Sequence, residues 1–288
     1  MQFLSPMLLF VIGLLGADPE SSIDGKGQST ADQRLRFAKR AAETYGFQFG
    51  LENKSRAKLQ PEPLLRWNNQ VIREDDGFLF LWTEAEKGRP VATAQFFLVE
   101  SIWHHEFQSL SSDGFAATTH DDEGRGWNWH PTTAGLEFTT ADKTEPALGS
   151  AAQRLRQMKS IVERFTAAVD TNASFESPEQ LRLLTTPLYR YSSPDHNILD
   201  GAVFAFVQGT NPEILILVEA EGAGGTKNWR YGFARMSSFH LRVHRDGEVI
   251  WMKDRAPVPT PDATSPYFFR LRAQTDRSSE LVVPALPK

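Results

Sequence analysis

The sequence predicts an α+β protein built from two tandem copies of one unit, each a helix followed by a five- to six-stranded antiparallel sheet, the pair related by a pseudo-two-fold axis. Three observations lead to this expectation. The stretch "EPLLRWNNQVIREDDGFLFLWTEA" at 62–85 is answered by "TPLYRYSSPDHNILDGAVFAFVQG" at 186–209. A stripe of apolar residues at helical spacing stands upstream of each stretch, and short aromatic and β-branched runs follow each.

The matched residues are of unlike types. Pro63 with Pro187, Arg66 with Arg190, Trp67 with Tyr191, Asp76 with Asp200, Gly77 with Gly201 and Phe80 with Phe204 all stand 124 positions apart. Trp103, Phe107, Ser111 and Ser112 stand 126 before Trp229, Phe233, Ser237 and Ser238, a shift that two extra residues around 222–225 would absorb. The spacing returns to 124 for Phe115 with Phe239, His120 with His244, Asp122 with Asp246 and Trp127 with Trp251. Such a period is far too long for a solenoid and reads as duplication.

In chain order, residues 1–17 carry no charge and contain the apolar run from Met7 to Leu15, the length of a signal-peptide core and too short to span a bilayer. A mature start near Asp18 and a linker over 18–29 are expected. "TADQRLRFAKRAAETY" and "SAAQRLRQMKSIVERF", 120 apart, each open on a capping box, Thr30 with Gln33 and Ser150 with Gln153. Leu35, Ala38, Ala42 and Tyr45, and then Leu155, Met158, Val162 and Phe165, give each helix one buried face.

Strands are expected at "GFLFLW" and "GAVFAFV", at "VATAQFFLVE" and "EILILVEA", at "HHEFQSLS" and "RYGFARMS", and at "FAATTH" and "FHLRVH". "LEF" near 137 and "YFFRLRA" from Tyr267 are expected to close the first and second sheet respectively. The units so defined run 30–142 and 150–275, with a linker at 143–149 and a tail at 276–288. Phe78, Phe80 and Trp82 point one way from their strand while Leu79 and Leu81 point the other, so both faces are apolar. One helix covers one face. A ring buries on the order of 150 to 250 Å², too much to leave wet, so the second face is expected against the sister unit.

"LDGAVFAFVQGTNPEILILVEA" with "WRYGFARM", together with "PLLRW" and "HEFQSLS", resembles an uncharacterised family of exported bacterial proteins. The resemblance spans most of residues 60–255. It implies export and a shared fold, and it brings no activity and no site residues.

Composition narrows the function. With 288 residues and 40% hydrophobic content the chain supplies a real core. The net charge of −5 with scattered basic residues gives no positive stripe, so nucleic acid is excluded as a partner. With no cysteine, stability must come from packing without disulfides. The sequence contains no GxSxG elbow, no phosphate-binding GxxxxGK[ST] and no thiol, and no cofactor is implied.

Two sets of residues are candidates for a site. Arg66 with Asp76, and Arg190 with Asp200, read as ion pairs beside Gly77 and Gly201, the glycines granting backbone freedom; the same arginines are the candidates for an anion. With Trp67, Trp82, Trp103 and Trp129 they make up the candidate ligand-binding residues. The second set is His104 and Glu106, which share a strand face and could join His120 or His130 at a metal, although Ser109 stands where an HExxH motif needs its second histidine. The expectation is a non-enzymatic, exported binding or scaffolding protein of the cell envelope, periplasmic or extracellular. It would be a monomer with an internal pseudo-dimer and no transmembrane segment after processing. Its aromatic-lined cleft would take a small molecule, glycan or peptide. The alternative is a metal-dependent hydrolase using the His and Glu cluster, and convergence of the histidines separates the two.

Overall fold

The structure, a computed structural model, describes residues 25–49, 55–69, 74–85, 88–99, 102–119, 128–171, 178–222 and 228–275. The expected signal peptide, the tail, His120, Asp122 and Trp127 lie outside the described residues.

Helix α1 (Gly25–Glu43) leads into β1 (Tyr45–Phe49) and the short strands β2 (Ser55–Arg56), β3 (Lys58–Leu59) and β4 (Leu65–Asn69). The long strands β5 (Glu74–Thr83), β6 (Pro90–Val99) and β7 (Ile102–Ser109) follow, then β8 (Phe115–Thr119), β9 (Asn128–Trp129) and β10 (Thr139–Thr140). Helix α2 (Ala151–Val162) precedes β11 (Phe165–Asp170), β12 (Glu179–Ser193), β13 (Ile198–Gln208) and β14 (Asn211–Glu221). The chain then runs through β15 (Trp229–Arg235), β16 (His240–Arg245), β17 (Glu248–Lys253) and β18 (Tyr267–Thr275).

These strands form three antiparallel sheets. Four pair in the order β2-β1-β8-β9; eight pair as β10-β15-β14-β13-β12-β11-β16-β17 and curl into a half-barrel; six form β18-β7-β6-β5-β3, with β4 also on β5. Strands hold 55% of the described residues and helices 14%, so the chain is mostly antiparallel sheet and not a tandem α+β repeat of five- to six-stranded units. Two physical reasons account for the miss. Two-residue strands such as β2, β3, β9 and β10 are too short to carry an alternation that could be read. The closing segments also change places: β10 pairs with β15 and β18 pairs with β7, so each of these sheets is finished by a strand from the other half of the chain. No sheet boundary follows from the spacing of 124.

The capping box at Ser150 forms as its sequence implies, with Gln153 answering Ser150. At the first helix it does not mark the start, because α1 begins at Gly25 and Thr30 lies within it. No proline stands between Pro19 and Thr30 to stop the helix sooner.

Packing follows strand alternation. Phe78, Phe80 and Trp82 are buried beneath α1 together with Ala38, Ala42 and Trp103. Met158, Ile161 and Val162 of α2 pack on Phe204, Phe206, Ile216 and Val218. The faces turned away from the helices meet each other: Leu79 and Leu81 pack with Val203, Ala205, Leu215 and Leu217. Each helix therefore covers one outer face, and the two large sheets cover each other. Polar links cross the seam, with Gln95 Nε2 donating to the carbonyls of Met236 at 2.6 Å and Pro212 at 3.2 Å, and Thr210 Oγ1 donating to the Asn68 carbonyl at 2.7 Å. Among the described residues no helix is long and apolar enough to cross a membrane.

Candidate functional site

At one end of the seam the apolar packing gives way to a cavity of about 280 Å³, just under the roughly 300 Å³ at which small-molecule pockets begin. Trp67 on β4, Phe97 on β6, His104 and Glu106 on β7 and Phe269 on β18 supply one wall. Asn211, the segment Ser237 to Phe239, Arg255 and Val258 supply the other.

Strand periodicity sets the first wall. His104 and Glu106 share the face toward the seam, while His105 points the other way and meets the Tyr45 hydroxyl at 2.7 Å through Nδ1. Register then fixes the neighbours: Glu106 lies between Gln95 and Phe269, and His104 sits across from Phe97. The Phe97 and His104 rings stack at 5.2 Å, and Phe269 meets both edge to face.

Trp67 pairs across the ladder with Gly77, and its ring lies on that glycine. A Cβ at position 77 would come within 2.2 Å of the indole, and one at Gly201 within 2.6 Å of the matching Tyr191 ring. Room for a ring, not backbone freedom, is what these glycines provide.

Glu106 is buried. It accepts a hydrogen bond from the Tyr267 hydroxyl at Oε1 and one from Gln95 Nε2 at 3.4 Å. Burial pushes its carboxyl up to about 8, the Tyr267 hydrogen bond offsetting part of that rise and the nearby Glu213 adding to it. Glu213, which accepts from Asn211 Nδ2 at 3.1 Å, is itself pushed up to about 7 by burial. Among the described residues neither carboxyl belongs to an ion pair. The neighbouring Arg235 spends its donors on the carbonyls of Ser237, Asp254 and Phe239, at 2.8, 3.0 and 2.9 Å, and lies over the Tyr267 ring at 4.5 Å. It thereby holds the far wall in place. Burial pulls His104 below its ordinary value, so the imidazole is neutral near pH 7. Two buried donors or acceptors on this wall, Trp67 Nε1 and His104 Nδ1, have no hydrogen-bond partner among the described residues.

The matched positions in the second half of the chain are filled. Glu219, 124 after Gln95, accepts from Arg89 Nε at 3.0 Å, from Arg230 Nε at 2.8 Å and Nη2 at 2.7 Å, and from the Tyr191 hydroxyl at 2.7 Å. Both guanidiniums lie over the Phe138 ring, at 5.4 and 4.4 Å. Gly232, 126 after Glu106, has the Glu137 carbonyl and Leu136 where a side chain would go.

Of the sequence-predicted residues, the structure brings together Trp67, His104 and Glu106. Trp82, Trp103 and Trp129 are buried in the core near α1 and do not line the cavity: Trp103 stacks on Phe37 at 4.5 Å, Trp82 tilts against Phe47, and Trp129 donates from Nε1 to the Ser265 carbonyl. Arg66 grips Asp76 with Nε at 2.9 Å and Nη2 at 2.6 Å, and Arg190 grips Asp200 with the same two distances. Arg66 borders a separate open cleft of about 670 Å³, with Trp67 as the wall common to both spaces. His130 is exposed, held through its backbone to Ala263, and is not part of the cavity. Among the described residues no three His, Asp or Glu side chains are grouped to hold a metal. Reading the sequence missed Asn211, Ser237, Phe239, Arg255 and Phe269. The matched serine pairs at 111–112 and 237–238 hinted at the segment, but its approach to Glu106 is a long-range pairing with no local signal. Comparison with known proteins found no family model, curated protein or solved structure that matches the chain.

Proposed function

We propose that this chain is a non-enzymatic, exported binding protein of the cell envelope that holds a small ligand in the cavity between its two large sheets. One observation carries the reading: the cavity is lined by Trp67 and His104, each with a ring nitrogen that has no hydrogen-bond partner among the described residues, and by Glu106, whose carboxyl is hydrogen-bonded but belongs to no ion pair there, in a wall otherwise made of rings. Protein interiors rarely leave such groups without partners, and each costs about 1 to 3 kcal/mol when it has none. A ligand that supplies the partners gains that free energy. Rings and a few fixed polar groups are the usual lining of small-ligand sites. Export rests on the uncharged apolar start at 1–17. For the hydrolase alternative, His130 is not grouped with His104 and Glu106, and His120 lies outside the described residues.

Thermal unfolding with a panel of amines, amino acids, monosaccharides and short peptides tests the reading. A ligand at 100 times its dissociation constant adds about 2.7 kcal/mol to stability. The expected outcome is a rise in Tm with at least one class, lost in Val258→Trp, which plugs the mouth from an exposed position. No rise with any class, or a rise that Val258→Trp leaves intact, would overturn it.

A further inference from the structure

The second half of the chain shows what this architecture does with a buried carboxylate: Glu219 is met by the guanidiniums of Arg89 and Arg230, and both cations rest on the Phe138 ring. In the cavity the carboxylate and the rings are present, but the nearest guanidinium, Arg235, acts on Glu106 only from a distance and makes no hydrogen bond to it among the described residues. Glu106 has Phe269 across the ladder and Trp67 and Phe97 in the same wall, and no cationic side chain pairs with it among the described residues. Arg235 is nearby but committed to three backbone carbonyls, and the exposed Arg255 at the rim donates to the Thr171 carbonyl and lies over Phe239 at 5.6 Å. We infer that the ligand is a small organic cation, an ammonium or guanidinium group, seated on Glu106 and faced by Trp67, Phe97 and Phe269.

This inference rests on the binding reading above and narrows it. Electrostatics favours it twice. The negative face of an aromatic ring attracts a cation most when both are out of water. A buried carboxyl that is protonated when the cavity lacks a cation also becomes a strong partner once ionised by one. The charged and titratable groups about the site are Glu106, Glu213, Tyr267, Arg235, His104 and Arg255, with Glu179 beyond Glu213 and Asp254 beyond Arg235. With Glu106 raised to about 8, a cation binding near pH 7 displaces its proton to solvent.

Calorimetry on the full chain compares two cations, choline and methylguanidinium, with neutral molecules of the same shape, 3,3-dimethylbutan-1-ol and N-methylurea. The cations are expected to bind at least about tenfold tighter than their neutral partners. Binding at pH 7, measured in buffers of different ionisation heat, is expected to release close to one proton per cation. Glu106→Gln, which keeps the shape of the protonated carboxyl, should remove both the preference and the proton release while melting no lower than the parent at pH 7. Phe269→Leu should weaken the cations more than the neutral molecules. If the neutral molecules bind as tightly as the cations, the cation assignment falls while the binding cavity stands. If neither cation saturates at tens of millimolar, the assignment falls too, and the broader panel then judges the cavity on its own.

Discussion

Glu219 and Glu106 are both buried carboxyls on inner sheet faces, and the fold treats them in opposite ways. Glu219 has two arginines and a tyrosine on it, one of the arginines, Arg89, reaching across from the residue before β6, so it ties the two large sheets together. Glu106 has a tyrosine and a distant glutamine amide, and it lines the cavity. Placing a counter-charge inside makes a carboxylate structural. Leaving it out makes the carboxyl a proton store and a place for a cation. The tryptophan and tyrosine that ride on Gly77 and Gly201 mark the same contrast, since the Tyr191 hydroxyl bonds Glu219 whereas the Trp67 nitrogen has no partner among the described residues.

The largest test breaks the closed cluster. Arg89→Ala removes a nearly buried guanidinium and strands part of the charge of Glu219 in the seam. Removing one partner of a buried pair costs about 3 to 5 kcal/mol, and the retained Arg230 and Tyr191 place the expectation at the lower end of that range. Chemical denaturation measures it. A loss under about 1 kcal/mol would show that the cluster does not clamp the sheets, whereas Glu106→Gln at pH 7 is expected to stabilise, because glutamine has no proton to lose on unfolding.

A second test uses pH to separate the two carboxyls. Glu106 and Glu213 hold protons in the folded chain up to about 8 and about 7, against an ordinary 4.5. The folded state then binds more protons than the unfolded state above 4.5. Their contribution is fully present below that value and is lost as pH rises through the folded values. The slope is about 1.4 kcal/mol per pH unit for each group, both acting between about 4.5 and 7 and Glu106 alone from 7 to 8. Denaturation midpoints from pH 5 to 8 should fall accordingly, and the fall should be shallower in Glu106→Gln and in Glu213→Gln. A flat profile in the parent protein would mean that the site is already solvated.

How much of this was legible in the sequence differs from element to element. Alternation located the long strands β5, β6, β7, β13, β14 and β15 and put His104 and Glu106 on one face, because a period of two is a local property. It could not show that β10 and β18 exchange sheets, since pairing partners far apart in sequence leave no mark in either segment. For the same reason Phe269 and Phe239 gave no sign that they flank Glu106. The candidate tryptophans were misleading in a specific way: a large ring is as useful to a core as to a ligand, and three of the four, Trp82, Trp103 and Trp129, went to the core.

The smallest expected effect bears on why the halves of the chain part company at the seam's edge. In the second half β12 runs unbroken from Glu179 to Ser193 and joins β11 to β13, so one eight-stranded sheet forms. In the first half the matched stretch is cut into β2, β3 and β4, and the four- and six-stranded sheets stay separate. Pro187 matches Pro63, but Pro61 matches Thr185, so the first half has one proline more at the break. The chain leaves the ladder between the bonds from Gln60 N to Leu81 O and from Leu64 N to Leu79 O. The second half has its own irregularity there, as β12 slips register against β13 between Leu184 and Tyr189. Thr185→Pro therefore falls where pairing is already interrupted and should cost less than about 1 kcal/mol. Leu183→Pro, inside the paired stretch opposite Phe206, loses a ladder position and should cost several times more. Equal losses in the two variants would mean that the extra proline is what splits the first sheet. The expected inequality would instead place the cause in the short, weakly paired strands β2 and β3 themselves.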